Sequence, residues 1–202
     1  MSGHFNDLIS EFARLPGIGT RQARRIVEHL IRKDGGSLSR LSRLLSEIKS
    51  AMHECDDCRR LFTSTGGQTR CAICSDTTRE RTLMVVEKDV DLETIEKNGI
   101  YQGTYFVVGA LITLTEKNPA EKIQVKKLIR TIDELPDGAE IILALSTTTD
   151  GEETALYIEE QAKELIEKKS LLVTRLGRGL STGAEIEYAD PITIKNALTN
   201  RK

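Results

Sequence analysis

Thr82-Leu83-Met84-Val85-Val86-Glu87 marks the point where the texture of the chain changes and the fold is decided. Four apolar residues, two of them valines, form a strand-sized run, followed by acids and a helix-like segment that should stop at Asn98-Gly99. Tyr105-Phe106-Val107-Val108 supplies a second strand. Ile141-Ile142-Leu143-Ala144-Leu145 supplies a third, and its unbroken apolar character predicts burial on both faces. Leu171-Leu172-Val173 is the fourth. Ahead of the third strand, Asn118-Pro119 with Glu121 predicts an N-cap, a first-turn proline and a capping-box partner for one helix that ends before Pro136-Asp137-Gly138. The next helix should open with Glu152-Glu153 and close with Lys168-Lys169, charges that complement its dipole. Strands separated by helices of this length predict right-handed βαβ units and a mainly parallel four-stranded sheet, an α/β fold.

Upstream of Thr82 the pattern differs. Ala23, Ile26, Val27, Leu30 and Ile31 keep a helical period, and Gly35-Gly36 should end that helix. Leu38, Leu41, Leu44, Leu45, Ile48 and Met52 repeat the period. Between Cys55 and Cys74 there is no apolar period, only turn formers such as Ser64-Thr65-Gly66-Gly67. Something other than apolar packing must order that segment.

Composition bounds the function. With 202 residues, 39% hydrophobic and 30% charged, the chain reads as globular. It has no run near the roughly 18 apolar residues of a membrane span. Its start, MSGHFNDLIS, has no secretory pattern, so a cytoplasmic location is expected. Residues 1–81 hold fourteen Lys/Arg against ten Asp/Glu, whereas the remainder holds fifteen against twenty-one. A mildly basic first part is compatible with nucleic-acid binding and equally with a well-solvated surface.

Cys55-x2-Cys58 and Cys71-x2-Cys74, twelve residues apart, hold all four cysteines. Each CxxC turn brings two thiolates near one ion, and two turns complete a tetrahedral Zn shell. With all four positions filled by protein, the zinc is expected to be structural, one per chain. A redox dithiol or four core cysteines are the other readings, but a thioredoxin-like motif needs a single CxxC beside a βαβ unit.

Leu15-Pro16-Gly17-Ile18-Gly19 lies between two helical segments. Gly17 and Gly19 let the backbone approach a ligand closely, and amides at a helix N-terminus suit a phosphate. Arg21, Arg24, Arg25 and Arg32 fall on or near the face away from the apolar stripe. A plain αα-turn with a solvated arginine face fits the same residues.

The hairpin, the four-cysteine segment, Val85-Val86-Glu87 and the closing run Gly179-Leu180-Ser181-Thr182-Gly183-Ala184-Glu185-Ile186-Glu187-Tyr188-Ala189-Asp190 follow in one order. That order resembles RecR, the bacterial recombination-mediator family of DNA repair. The resemblance implies a helix–hairpin–helix over 1–53, a four-cysteine zinc finger over 54–78, a Toprim domain over 79–175 and a C-terminal tail over 176–202 that serves as an oligomer contact. It further implies ring-like tetramers that clamp double-stranded, gapped or junction DNA. RecO-like and RecF-like partners would help such a clamp load recombinase. It carries DNA contact to Arg21 and Arg25, the Toprim glutamate to Glu87, and the family's Gly-Glu-x-Thr to Gly151-Glu152-Glu153-Thr154.

The chain also departs from the family. Ser146-Thr147-Thr148 stands where an Asn-Pro-Thr is usual, and Phe106-Val107-Val108 where a His-Val-Leu is usual. Thr115–Pro119 replaces a Gly-x-Gly-Pro loop, and Ser181 replaces a proline.

A catalytic Toprim site pairs a glutamate after its first strand with an Asp-x-Asp after its third, and together these hold Mg²⁺. Glu87 is present, with Asp91 nearby, but the third strand leads into Ser-Thr-Thr-Thr-Asp-Gly-Glu-Glu. Asp150 and Glu152 are acids at alternate positions, open to a weak Mg²⁺ or partner role and equally to helix capping. A non-enzymatic DNA-binding mediator is expected. A Mg²⁺-dependent Toprim nuclease or related nucleotidyl-transfer enzyme is the alternative.

Overall fold

A computed structural model describes residues 3–64 and 66–201; Thr65, in the turn-rich stretch, lies outside them. The chain divides into two compact units, Met1–Met52 and His53–Lys202.

In the first unit, α1 (Gly3–Ala13) and α2 (Thr20–Ile31) pack as a helical hairpin. Ala23 and Val27, one turn apart on α2, have no exposed surface and form its contact stripe. The expectation for Gly35-Gly36 is corrected: they open α3 (Gly35–Ala51) instead of closing α2. The Asp34 carboxylate accepts the Ser37 amide at 2.8 Å, and this N-cap outweighs the helix-breaking tendency of the glycines. The leucine stripe of α3 stays on the surface, with Leu45 63% and Ile48 57% exposed.

The second unit begins with two short paired strands, β1 (Met52–Glu54) and β2 (Leu61–Thr63), and a turn of helix, α4 (Ala72–Ser75). Then come β3 (Leu83–Val86), α5 (Asp89–Asn98), β4 (Thr104–Val107), α6 (Pro119–Lys122), α7 (Val125–Asp133), β5 (Glu140–Ala144), α8 (Thr149–Lys169) and β6 (Leu172–Arg175). A 3₁₀ turn (Ile186–Tyr188) and α9 (Pro191–Thr199) complete the chain. The four longer strands form one parallel sheet in the order β4-β3-β5-β6. Strand alternation explains why the central runs are apolar throughout. Leu83, Val85, Phe106, Ile141 and Leu143 face one layer with α7 and α8. Met84, Val86, Tyr105 and Val107 face the other, where Leu92 of α5 and the cysteines pack.

The single helix expected after Asn118 is two. Pro119 starts α6 as anticipated, but Asn118 makes no side-chain cap. Gln124, at φ +48, turns the chain between α6 and α7, which lets Val125, Leu128 and Ile132 reach the sheet. The helix expected from Glu152 begins at Thr149, because the Thr148 hydroxyl accepts the Gly151 amide at 3.2 Å.

Candidate nucleic-acid interface and metal centre

The hairpin follows from its local chemistry. Gly17, at φ +76, takes a left-handed turn that a side chain disfavours, and the Ile18 amide donates to the Leu15 carbonyl at 3.1 Å. Gly19 caps α2, and its amide donates to the Gln22 side chain at 3.2 Å. Arg21 and Arg25 are exposed, and neither has an ion-pair partner among the described residues, whereas Arg24 is paired with Glu28 at 2.9 Å. A cleft of about 580 Å³ lies against the hairpin, lined among others by Gly17, Ile18, Gln22, Arg25 and His29. His29 went unnoticed in the sequence; its place one turn beyond Arg25 is the signal that finds it.

In the second unit, Cys55 and Cys58 sit on the turn between β1 and β2, while Cys71 and Cys74 bracket the start of α4. Their four sulfurs lie within 4.8 Å of one another, and Cys55, Cys58 and Cys71 are buried. The Cys58 and Cys71 sulfurs are 3.7 Å apart, close to the roughly 3.8 Å edge of a tetrahedron with 2.3 Å Zn–S bonds. The Cys71 amide donates to the Cys55 sulfur at 3.3 Å, a contact that favours a thiolate. Hydrogen bonds from Cys58, and then Cys71, hold the Cys55 thiol well below its ordinary range. Four soft donors converging, with no fifth ligand in the cluster among the described residues, form a set able to hold a metal ion.

The knuckle is fastened to the sheet. The Val107 amide donates to the Cys58 carbonyl at 2.8 Å, and the Leu61 amide to the Asp89 carboxylate at 2.9 Å. Lys127 of α7 donates to the Cys55 carbonyl at 3.3 Å.

In the sheet order β4-β3-β5-β6, the chain reverses direction of travel between β3 and β5, the place where open α/β sheets receive ligands at their strand C-terminal ends. Glu87 follows β3 and Ser146-Thr147-Thr148 follow β5, so both flank this point. The acids do not converge, however: among the described residues, only the four cysteines form a metal-ligating cluster. Glu87 is paired with Lys88 at 2.7 Å and raises the pKa of that lysine. The Asp91 carboxylate accepts the Lys88 amide at 2.9 Å and so caps α5. Asp150 lies in the first turn of α8, where its carbonyl accepts the Thr154 hydroxyl. Glu152 is held by Arg175, at 2.6 Å, and by Arg178. Neither arginine was anticipated, because both lie more than twenty residues from Glu152 in sequence. Gly151 is buried, and a Cβ there would overlap the Ser146 carbonyl oxygen, so this tight entry to α8 requires glycine.

Three family models match the chain: RecR, helix-hairpin-helix over residues 5–49; Toprim domain over 81–177; and RecR, C-terminal over 179–202. Recombination protein RecR of Chlorobaculum parvum is 34% identical, with 99% of this chain and 97% of the relative covered. The chain belongs to the RecR family. Its RecR relative from Lactobacillus helveticus is 36% identical over 96% of this chain and 94% of the relative. RecR of Mycolicibacterium smegmatis is 33% identical over 99% and 97%. As a RecR-family protein it joins a helix–hairpin–helix, a four-cysteine site and a Toprim domain in one chain. None of its helices among the described residues is long and apolar enough to cross a membrane.

Proposed function

We propose that this chain is a non-enzymatic, DNA-binding recombination mediator of recombinational repair. The observation that carries the reading is the pair Arg21 and Arg25, exposed and, among the described residues, without acidic partners beside the Gly17–Gly19 hairpin. Free guanidinium groups beside a close glycine turn are what a phosphate backbone recruits. The same reading assigns Gly17, Gly19, Arg21 and Arg25 to DNA contact, and Cys55, Cys58, Cys71 and Cys74 to one structural zinc. It divides the chain into a hairpin region (1–53), zinc finger (54–78), Toprim domain (79–175) and C-terminal tail (176–202).

The chain acts as a ring-like tetrameric clamp in the cytoplasm, and with RecO-like and RecF-like proteins helps load recombinase onto gapped DNA. Self-association is supported by the exposed stripe of α3 and by Ile192 and Leu198 on α9. The same reading assigns Glu87, Asp91, Asp150 and Glu152 to partner contact as separate side chains, since they do not converge. Mg²⁺ sheds water reluctantly and needs converging carboxylates, and the pairing of Glu87 and Glu152 with cations disfavours a nuclease.

Sizing the full chain with and without gapped duplex, alongside a nicking assay in Mg²⁺, tests the proposal. A tetramer that shifts on DNA and leaves it intact is expected. A monomer indifferent to DNA, or nicking abolished by Glu87→Ala, overturns it.

A further inference from the structure

We propose that Arg59 is the positioning residue through which metal in the knuckle holds the C-terminal end of β4, so that this strand end beside Glu87 is metal-sensitive. The inference rests on the zinc reading above.

Arg59 follows Cys58 directly and adopts φ +65, a conformation that favours glycine and strains any residue with a Cβ. Its amide donates to the Cys55 carbonyl at 3.0 Å, so the strained backbone belongs to the first CxxC turn itself. The side chain is nonetheless only 13% exposed, because it turns inward to the sheet. One guanidinium nitrogen donates to the Val108 carbonyl at 2.6 Å and to the Val107 carbonyl at 3.3 Å. The Nε reaches Glu54 at 3.3 Å.

These carbonyls end an edge strand. The Val107 amide is already tied to Cys58 at 2.8 Å, so the knuckle grips this end of β4 through a backbone bond and through Arg59. The next two residues reach β3: the Val108 amide donates to Val86 at 3.0 Å and the Gly109 amide to Glu87 at 2.9 Å. A continuous chain of contacts therefore runs from the cysteines through Arg59 to the backbone of Glu87. A thiolate shell closed on a metal keeps the turn, and hence Arg59, in its strained form. Without metal nothing covalent fixes that turn, and the arginine relaxes away from the strand end.

Hydrogen exchange of the full chain, metal-loaded and after chelation with EDTA, tests this, with metal content measured first. Chelation should raise exchange at Val107, Val108 and Gly109 by about tenfold or more, the mark of a local opening, with little change at Ile142 and Leu143 of β5. Arg59→Gly suits the left-handed turn and should keep its metal, yet show the raised exchange at Val108 and Gly109 when loaded, with chelation adding little there, while the Val107 amide stays protected by the Cys58 carbonyl until chelation. A protein that purifies and reconstitutes without metal sinks the zinc reading and this inference with it. A metal-loaded Arg59→Gly with wild-type exchange, or chelation that loosens β5 as much as β4, overturns the Arg59 relay alone.

Discussion

The hydroxyl of Thr154, on α8, accepts the Ile112 amide at 2.8 Å and donates to the Asp150 carbonyl at 2.6 Å. Thr154 has no exposed surface, so one side chain ties the segment after β4 to the first turns of α8. Thr154→Val keeps the shape and leaves the Ile112 amide without its partner. A loss of about 1–3 kcal/mol in denaturant unfolding is expected, with Thr154→Ser losing less. Equal stability of the valine variant and wild type would show that this bond contributes nothing.

The cysteine cluster predicts one zinc per chain by metal analysis. Cys71→Ser removes a thiolate from a four-ligand shell, in a class of site where zinc contributes about 10–16 kcal/mol of apparent binding free energy. Metal content should fall sharply, and thermal unfolding should move to lower temperature. Full metal retention with an unchanged transition would count against a four-thiolate site.

Replacing Arg21 and Arg25 together by Ala should weaken DNA binding while leaving the circular dichroism spectrum intact, since both side chains are exposed. If each arginine meets one phosphate, the slope of log affinity against log salt should shrink by about 0.7–0.9 per residue in each subunit engaged. The loss should be similar for unrelated sequences. An unaltered slope would remove the hairpin from the DNA contact.

Arg79 of the segment before β3 donates twice to Glu96 of α5, at 2.8 and 2.7 Å. These bonds hold the Glu96 carboxyl below its ordinary range. A carboxyl depressed on folding contributes stability above its unfolded pKa of about 4.3, and loses it as the pH falls through the folded value. Glu96→Gln should therefore be less stable than wild type at pH 7, with the gap closing progressively below about pH 4.3. Chemical denaturation of both proteins from pH 7 to pH 3 measures this, and a gap that stays constant with pH would contradict it.

What the sequence determined by itself was whatever depends on near neighbours. The apolar run at 141–145 declared a strand covered on both faces, because strand side chains alternate, and Ile141 and Leu143 are buried on one face while Ile142 and Ala144 are half-buried on the other. Each pair of cysteines is local, and the spacing alone announced that four sulfurs would gather into one set able to hold a metal ion. Pro119 correctly marked a helix start, but the Gln124 turn that splits the segment carried no local signal. Gly35-Gly36 misled, because the Asp34 cap outweighed their poor helix propensity. Only the tertiary structure decided how the site is wired. Arg59 meets Val108 across 49 residues, Thr154 meets Ile112 across 42, and Arg178 meets Glu152 across 26. Whether Glu87 and Glu152 faced each other or faced cations was likewise settled by strand order and by where β6 delivers Arg175. A long side chain has many rotamers and many candidate partners, and only the packed register of the sheet leaves one of them within hydrogen-bond reach.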